Sequence, residues 1–304
     1  MISHILKLMG RRVGMTSTDG IVIDIECHLS NNLPTIVIVG FASKAVNEAK
    51  DRLRGAFASS QLQLPRRRIT INLAPADIPK NDSGLDLAIA LSILVASEQI
   101  MPIAPNQVAI GELSLDGSLR PVRGIIGKLI TARQHGFSEF FIPLANLQQA
   151  QLIPDIRLFP AANLSQLYEH MAGIHDISPI VTGDGIYLPL PNTGIGQPLL
   201  SEVVGQKLAK RALVIAAAGG HNVLLTGPPG TGKSMLARTL PSLLPPLSHE
   251  EMLEVTQISS LANSNYDQLS QQRPLRSPHH SASDSAMIGG GAAMRPGEIS
   301  LSHR

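Results

Sequence analysis

The residues of this sequence best suited to chemistry form a glycine-rich segment at positions 227–234, which reads Gly-Pro-Pro-Gly-Thr-Gly-Lys-Ser. It matches the phosphate-binding pattern G-x-x-x-x-G-K-[ST], in which backbone N–H groups converge on a phosphate because glycine carries no Cβ atom. We expect Lys233 to reach the β- and γ-phosphates of ATP and the Ser234 hydroxyl to bind Mg²⁺. The residues predicted to bind ATP are Gly227, Pro228, Pro229, Gly230, Thr231, Gly232, Lys233 and Ser234.

The segments on either side of this loop are those that a phosphate-binding loop requires. Asn222–Thr226 is a short apolar run that predicts a buried parallel strand, and Met235–Leu240 has the composition of a helix. The N-terminal end of that helix would present its positive dipole to the same phosphate. The alternative is a glycine-rich turn without a ligand, which the order strand, loop, Lys-Ser and helix disfavours.

The acidic residues that complete such a site are missing from the sequence. Of the 304 residues, 70 follow Ser234, and none of them forms an apolar strand ending in Asp-Glu. That pair, the Walker B element, would complete the Mg²⁺ site and activate the attacking water. We therefore assign no catalytic residue in this chain and expect it to bind ATP weakly and to hydrolyse it very slowly or not at all. The chain is interpreted as the front part of a longer protein, truncated before this strand.

Composition indicates an ordinary globular protein of two domains, with 43% hydrophobic and 16% charged residues. The net charge of +2 neither indicates nor excludes a polyanionic partner. The single cysteine, Cys27, cannot form an intramolecular disulfide, which fits a reducing cytoplasm, and its alternating surroundings favour a buried strand residue over a catalytic thiol. Because the sequence has neither a long apolar run nor an export signal, we expect a cytoplasmic protein without a membrane span.

The pattern along the chain predicts an α/β sandwich over residues 1–172, a connector over 173–199 and a second domain over 200–304. In the first domain, the strands at 21–25 and 35–39 are predicted to form a hairpin, and strands and helices are predicted to occupy separate layers. The other predicted elements are a helix that begins after Ser43 with Val46, Ala49, Leu53 and Phe57 on its apolar face, a strand at 68–73, a helix at 85–96, strands at 108–113 and 119–122, a helix at 124–135, a strand at 140–143, a helix at 164–172, and a helix at 206–219 that opens the second domain.

Several motifs of the second domain resemble the magnesium-chelatase-like branch of AAA+ ATPases. They are Val203-Val204-Gly205-Gln206, Lys210-Arg211-Ala212-Leu213, Ala217-Ala218-Gly219-Gly220-His221-Asn222, the loop at 227–234, Arg276-Ser277-Pro278-His279-His280-Ser281-Ala282-Ser283, and Arg295-Pro296-Gly297-Glu298-Ile299-Ser300-Leu301-Ser302-His303. With its first 172 residues included, the chain resembles the ComM/YifB family. The resemblance covers essentially the whole sequence.

This resemblance implies a cytoplasmic ATPase that uses ATP and Mg²⁺, assembles with itself into a hexameric ring, and moves DNA branch points during recombination in natural transformation. Residues 200–304 would then be the first part of a P-loop AAA+ module. Three other functions stay open: an ATP-dependent protease, the metal-insertion motor of chlorophyll synthesis, and a non-catalytic nucleotide-binding or interaction protein. The extra N-terminal domain argues against the metal-insertion motor, because the chelatase motor subunit resembles the second domain alone.

The N-terminal domain resembles the proteolytic domain of Lon, which implies an α/β sandwich of the ribosomal protein S5 domain 2-like fold. The matching segments are 79–85, 111–117 and 127–129. In this correspondence the serine of the Lon Ser–Lys dyad falls on Asp82 and the lysine on Lys128. A carboxylate cannot attack as an alkoxide does, and Ser83, one residue away at a helix entry, would point in another direction. We expect Asp82 and Lys128 to make a salt bridge or a structural contact.

Two further groups of residues are candidates for binding. Adjacent side chains such as His279 and His280 do not easily chelate one metal ion, so we expect their loop to contact DNA or a neighbouring subunit. The run Arg66-Arg67-Arg68 is a candidate phosphate-contacting patch on DNA, and the alternative is a solvated basic face. The cationic residues that would join this patch are Lys44, Lys50, Arg52 and Arg54.

Overall fold

The structure, a computed structural model, describes residues 3–9, 21–40, 44–76, 83–183, 198–262, 269–290 and 295–304. These residues form two compact units. The first unit holds the described residues up to 183, and the second holds those from 198 onward.

The first unit is built from strands and helices in alternation. Its strands are β1 (Ser3–Met9), β2 (Ile21–Ser30), β3 (Thr35–Val39), β4 (Arg68–Ala74), β5 (Gln107–Ala109), β6 (Glu112–Leu113), β7 (Leu119–Arg120), β8 (Glu139–Pro143), β9 (Arg157–Ala161) and β10 (Ile180–Val181). Its α-helices are α1 (Lys44–Ser59), α2 (Asp86–Ala96), α3 (Ile125–Gln134), α4 (Leu147–Ala150) and α5 (Leu164–Met171), with 3₁₀ turns at Ser83–Leu85 and Leu144–Asn146. Eight strands form one sheet in the order β10-β9-β8-β5-β1-β2-β4-β3, and β6 and β7 form a separate antiparallel pair.

The hairpin predicted for β2 and β3 is wrong, because β4 lies between them. Ser30 of β2 pairs with Arg68 of β4, and Arg68 pairs on its other side with Thr35 of β3. Residues 31–34 therefore cross the start of β4. Two strand spacings amount to about 10 Å, a distance that four extended residues can span. Strands β3 and β4 are parallel, with α1 as their crossover.

Alternating burial along the strands marks the core of this unit. Ile23, Ile25 and Cys27 of β2 are all fully buried on one face of the sheet. Burial raises the pKa of the Cys27 thiol to about 12, so the thiolate form is disfavoured. This confirms the interpretation of Cys27 as a core residue of a strand.

The helices predicted for the first domain pack as their apolar periodicity requires. Ala49, Leu53 and Phe57 of α1 are fully buried, whereas Ser43 and the side chain of Val46 lie outside the described residues. Helix α2 is buried from Asp86 to Val95, as an apolar helix without a polar face must be. It contacts β1 and β2 over the centre of the sheet.

Helices cover both faces of the sheet at β8, where the sequence predicted helices in a single layer. Neighbouring strand residues point to opposite faces, and both Phe140 and Phe141 are fully buried. Phe141 belongs to the cluster that holds α1, α2 and α5, and Phe140 does not. The buried residues of α3 and α4 also lie outside that cluster, while α3 contacts β1 and α4 contacts β9.

The first part of the predicted connector belongs to this unit. Strand β10 pairs with β9, and Ile177 is buried against the core. The Thr182 hydroxyl accepts a hydrogen bond from the N–H of Ile156 and donates one to its carbonyl, both at 3.0 Å. A two-residue strand is too short to produce a recognisable pattern, which is why the sequence placed the boundary at residue 173.

A buried ion pair joins three elements of the first unit. The Asp86 carboxylate, on the first turn of α2, accepts hydrogen bonds from the Arg52 Nε at 2.6 Å and Nη2 at 3.0 Å. It also accepts one from the backbone N–H of Leu113 in β6, at 3.2 Å. The Asp86 side chain is 1% exposed and that of Arg52 is 20% exposed. This carboxylate therefore connects α1, the start of α2 and β6.

The second unit is mostly helical within the described residues. Its elements are a 3₁₀ turn (Leu200–Glu202), α6 (Lys207–Gly219), α7 (Lys233–Leu243), α8 (His249–Ala262), α9 (Asp284–Ile288), β11 (Gly289–Gly290), β12 (Arg295–Pro296) and α10 (Glu298–Leu301). One apolar cluster contains Val203, Leu213 and Leu236, and another contains Leu247, Met252 and Val255.

The buried strand predicted over Asn222–Thr226 is wrong, because this segment is neither strand nor helix. Val223 is 38% exposed and Leu224 is 87% exposed. A strand needs a neighbour to receive its hydrogen bonds. Among the described residues of the second unit, the strand pairing that forms is the one between β11 and β12. It does not include Asn222–Thr226.

No helix in the described ranges is both long enough and apolar enough to cross a bilayer.

The ion pair of Asp86 gives a test of the first unit. We expect Asp86→Asn to lower the local free energy of unfolding of α1 and α2 by about 3 kcal/mol, because Arg52 would lose its buried counter-charge. Hydrogen exchange of the α1 and α2 amides measures this without requiring the whole chain to unfold in one step. Asp51→Asn is the matched control, since Asp51 is 80% exposed and pairs with Arg54 at 3.5 Å. Its effect should stay below about 0.5 kcal/mol, and equal effects of the two changes would contradict the role given to Asp86.

Candidate nucleotide-binding site

The glycine-rich loop has backbone conformations that favour glycine. Gly227, Gly230 and Gly232 have φ values of +149°, +80° and +83°. A Cβ atom added at Gly230 or Gly232 would meet no atom within 4 Å. The backbone conformation, rather than crowding, therefore explains the glycines, as expected for a loop that keeps space for a ligand.

The ammonium group of Lys233 lies across this loop. Its Nζ donates hydrogen bonds to the carbonyl oxygen of Gly227 at 2.8 Å and to that of Pro228 at 2.5 Å, and it lies 3.4 Å from the Thr231 Oγ1. The Thr231 hydroxyl donates to the Pro228 carbonyl as well, at 2.9 Å. All these acceptors are neutral, and within the described residues no carboxylate pairs with Lys233. Its positive charge therefore stays available for an anion at the loop.

Helix α7 starts directly after the loop and adds to this positive field. Gly232 is the N-cap of α7, and the first helical residues are Lys233 and Ser234. The first turn contains no acidic residue. An 11-residue helix places partial positive charge at its N-terminus, where a phosphate is stabilised. Ser234 is exposed in this turn, so its hydroxyl is accessible to a ligand.

Contacts with α6 support the loop. Leu236 and Thr239 of α7 are buried, and Leu236 packs in the same cluster as Leu213 of α6. Just before α6, the Gln206 Nε2 donates to the carbonyl of Thr231 at 3.4 Å. The sequence analysis missed Gln206 as a contact of the loop. It is part of the Val-Val-Gly-Gln motif, but no spacing rule connects that motif to a loop 25 residues later.

Two motifs that are separate in the sequence meet through an ion pair. The Arg276 Nε and Nη2 donate to the two carboxylate oxygens of Glu298, both at 2.6 Å. The hydrogen bonds raise the pKa of Arg276 and lower that of Glu298. Next to Glu298, a Cβ atom on Gly297 would lie 2.3 Å from the N atom of Gly289, so the chain approaches β11 too closely for any other residue.

The first of these motifs also carries His279 and His280, which lie in an exposed turn. Their ring centroids are 4.1 Å apart, with an interplanar angle of 37°. The His279 Nδ1 lies 2.7 Å from the Ser281 Oγ. Among the described residues, no group of three His, Cys, Asp or Glu side chains is placed to hold a metal ion.

The other predicted groups of the first unit are only partly described. Asp82 lies outside the described residues, as does the side chain of Ser83, so the predicted contact between Asp82 and Lys128 stays a prediction. The Lys128 Nζ donates to the carbonyl of Arg123 at 3.2 Å.

The basic patch predicted around Arg66-Arg67-Arg68 is smaller than the sequence indicated. These three arginines are exposed, but Arg52 forms the ion pair with Asp86 and is not part of a solvent-facing patch. Arg54 lies 3.5 Å from Asp51, and the side chain of Lys44 is outside the described residues. A one-dimensional charge pattern cannot reveal that Arg52 turns toward a buried carboxylate.

Comparison with known proteins places both units in one family. The family model described as magnesium chelatase, subunit ChlI, matches residues 199–304, and the one described as subunit ChlI of Mg-chelatase matches residues 25–146. YifB of Salmonella typhimurium is 45% identical over 294 residues, which cover 92% of this chain and 54% of that protein. Competence protein ComM of Haemophilus influenzae is 42% identical over 282 residues, which cover 92% of this chain and 55% of that protein. The chain belongs to the ComM/YifB family of magnesium-chelatase-like proteins.

Membership of this family confirms the α/β fold class and is consistent with the use of a nucleotide and Mg²⁺. The chain spans about half the length of the curated relatives it matches. A Lon protease of Solibacter usitatus is 25% identical over 156 residues, which cover 48% of this chain and 19% of that protein. This partial match accords with the Lon resemblance of the first domain.

The position of the Lys233 ammonium predicts a direct effect on nucleotide binding. We expect Lys233→Ala to weaken binding of a fluorescent ATP analogue to the 304-residue chain at least tenfold, because the uncompensated charge at the loop is removed. The thermal stability should change little, since the side chain packs in neither apolar cluster. Lys207→Ala, at an exposed position on α6, is the matched control and should bind the analogue as the parent chain does. Unchanged affinity in Lys233→Ala would remove the loop from the binding site.

The ion pair of Glu298 predicts a pH-dependent contribution to stability. Because the folded-state pKa of Glu298 lies below its ordinary value of 4.5, the contribution is fully present above pH 4.5 and is lost as the pH falls through the folded-state pKa. We therefore expect Glu298→Gln to lower the melting temperature of the second unit at pH 7, and the difference from the parent chain to shrink below pH 4.5. Calorimetry from pH 3 to 8 measures this. Glu250→Gln, on the exposed side of α8, is the control, and a difference for Glu298→Gln that is constant with pH would refute the argument.

Proposed function

We propose that this chain provides the ATP-binding part of a DNA motor that moves branch points during recombination in natural transformation. The observation that carries the proposal is the arrangement at the loop, where the Lys233 ammonium lies on neutral carbonyl oxygens at the N-terminus of α7. The similarity to competence protein ComM of Haemophilus influenzae gives the proposal its biological context, since that relative is named for a role in competence.

The loop suits a polyphosphate for electrostatic reasons. Lys233 supplies a full positive charge, α7 supplies the partial charge of its N-terminus, and the glycines allow close approach of the backbone. An anion with several charges, such as the triphosphate of ATP, gains from all three at once. A neutral ligand would gain from none of them.

The donors at the loop also fit Mg²⁺, which prefers oxygen ligands. The Ser234 hydroxyl would provide one of them, and the phosphates of the nucleotide would provide others. When bound, the ion would neutralise charge that develops on the transferred phosphoryl group. The roles of this chain's own residues are to bind and orient the phosphates through Lys233, the loop amides and Ser234.

The exposed run Arg66-Arg67-Arg68 supports the DNA part of the proposal. Three adjacent guanidinium groups at the surface can contact phosphates of any sequence, and no ion pair involving them is found among the described residues. We propose self-association into a hexameric ring as the means by which such contacts would encircle DNA.

An ATP-dependent protease is the second candidate, favoured by the partial match to Lon protease. In the sequence correspondence with Lon, Asp82 falls on the catalytic serine, and an aspartate cannot serve as that nucleophile. A non-catalytic nucleotide-binding protein is the third candidate.

A branch-migration assay tests the proposal, with a protein of the full length of the YifB and ComM relatives that includes this chain. We expect ATP-dependent movement of a four-way DNA junction, with movement and ATP hydrolysis both abolished in Lys233→Ala and strongly reduced in Ser234→Ala. Ser83→Ala is the matched control for the protease candidate and should leave all activities unchanged. Casein cleavage that requires ATP and Ser83 would favour the protease. If the protein binds ATP but neither binds nor moves DNA, the motor proposal fails.

A further inference from the structure

Among the described residues, one pair of exposed rings lies in contact, with the two planes tilted by 37°. The other ring contacts among the described residues involve Phe141, Phe159 and His170, where both phenylalanines belong to the core of the first unit. His279 and His280 of the second unit are both exposed, with ring centroids 4.1 Å apart. In a chain without tryptophan, these two exposed rings offer accessible ring faces to a ligand.

Local hydrogen bonds fix the orientation of the first ring. The His279 Nδ1 accepts from the backbone N–H of Ser281 at 3.3 Å and lies 2.7 Å from the Ser281 hydroxyl. The carbonyl of His279 accepts from the N–H of Ala282 at 2.9 Å, which closes a tight turn. Because Nδ1 accepts, Nε2 carries the proton in the neutral ring and is the nitrogen left to donate to a ligand.

The turn is also held at both ends. Arg276, three residues before His279, pairs with Glu298 through two hydrogen bonds, and Ser283 caps α9 by accepting from the N–H of Ala286 at 3.2 Å. A pair of rings held in this way loses little conformational entropy when it binds.

The charge of the segment narrows the chemistry of the ligand. Residues 269–283 contain no carboxylate, which permits an anionic partner. The two arginines of the segment, Arg273 and Arg276, are already paired with Glu251 and Glu298. The main feature of this surface is therefore the pair of histidine rings, rather than arginine side chains that would bind phosphates. Exposed rings bind flat ligands by stacking, and unpaired nucleotides combine flat base faces with the negative charge that this segment permits.

We propose that His279 and His280 form a stacking contact for unpaired bases of single-stranded nucleic acid. The inference rests on the proposed function in DNA recombination and assigns that function a specific contact. Duplex DNA hides the faces of its bases within the stack, so this site binds strands that are already separated. The ion pair between Arg276 and Glu298 acts as a positioning contact that keeps the turn in place.

Fluorescence anisotropy with labelled oligonucleotides tests the inference on the 304-residue chain. The probe is a 20-nucleotide oligo-dT at low salt, and a second probe of equal length carries abasic sites in place of its thymidines throughout. We expect the double change His279→Ala and His280→Ala to weaken binding of oligo-dT about fivefold or more, since one stacked base contributes about 1–3 kcal/mol. On the abasic probe, the parent and the variant should bind equally.

Two further variants distinguish stacking by the rings from a contribution of the ring nitrogens and from a general effect of removing a surface histidine. The double change His279→Phe and His280→Phe keeps a flat ring without the ring nitrogens and should retain most of the affinity for oligo-dT. His175→Ala removes an exposed histidine of the first unit, whose side chain is 77% exposed, and should have no effect. Unchanged binding of the fluorescent ATP analogue by each variant would show that the second unit is still folded.

The outcomes distinguish this inference from the proposed function. Equal binding of oligo-dT by the parent and the double alanine variant would overturn the stacking contact and leave a DNA motor possible. If the double alanine variant loses as much affinity for the abasic probe as for oligo-dT, the histidines contact phosphates rather than bases, and this result also overturns the stacking contact. A parent chain that binds junction DNA but not oligo-dT would overturn it too. If the parent chain binds neither, both the stacking contact and the role of this chain in DNA binding are wrong.

Discussion

The ladder between β2 and β4 is the interaction on which the first unit depends. Strand β2 pairs through seven residues with β4 on one side and through seven residues with β1 on the other. Because side chains alternate, this register places Ile23, Ile25 and Cys27 on the face that α2 covers. A shift by one residue would turn all three toward the opposite face. The fixed register of β2 therefore determines which apolar groups meet α2.

The same constraint explains which features the sequence could predict. Periodicity within one segment predicted α1, α2, α3 and the short strands, because each depends on its own residues. Pairing between segments depends on residues far away, so the insertion of β4 between β2 and β3 could not be read from the turn at 31–34. The two-residue strand β10 is also set by its neighbour β9 rather than by its own sequence. Ionic contacts behave in the same way, since nothing local in α1 distinguishes Arg52, which pairs with Asp86, from the exposed Arg54.

The candidate site was predictable to the extent that it is local. Every group that the loop requires lies within residues 227–234, and the conformations at Gly227, Gly230 and Gly232 and the start of α7 agree with that pattern. The strand expected before the loop did not form, because strand structure needs a partner and the segment has none among the described residues. The contacts of Gln206 with the loop and of Arg276 with Glu298 span 25 and 22 residues, distances over which sequence patterns carry no geometric information.

The position of Lys233 gives the loop its capacity to bind an anion. Its ammonium lies on the carbonyl oxygens of Gly227 and Pro228, which are dipoles rather than charges. A phosphate attracts the Lys233 ammonium more strongly than these carbonyl oxygens do, because a charge–charge interaction is stronger than a charge–dipole interaction. Lys233 also needs to break no ion pair before it binds the phosphate. Had the ammonium been paired with a carboxylate, as Arg276 is with Glu298, much of that gain would have been lost to separating the pair. Among the described residues, Lys233 contacts neutral oxygens rather than a carboxylate, and it does so at the N-terminus of α7 beside the glycines of the loop, so we expect Lys233 to meet the ligand.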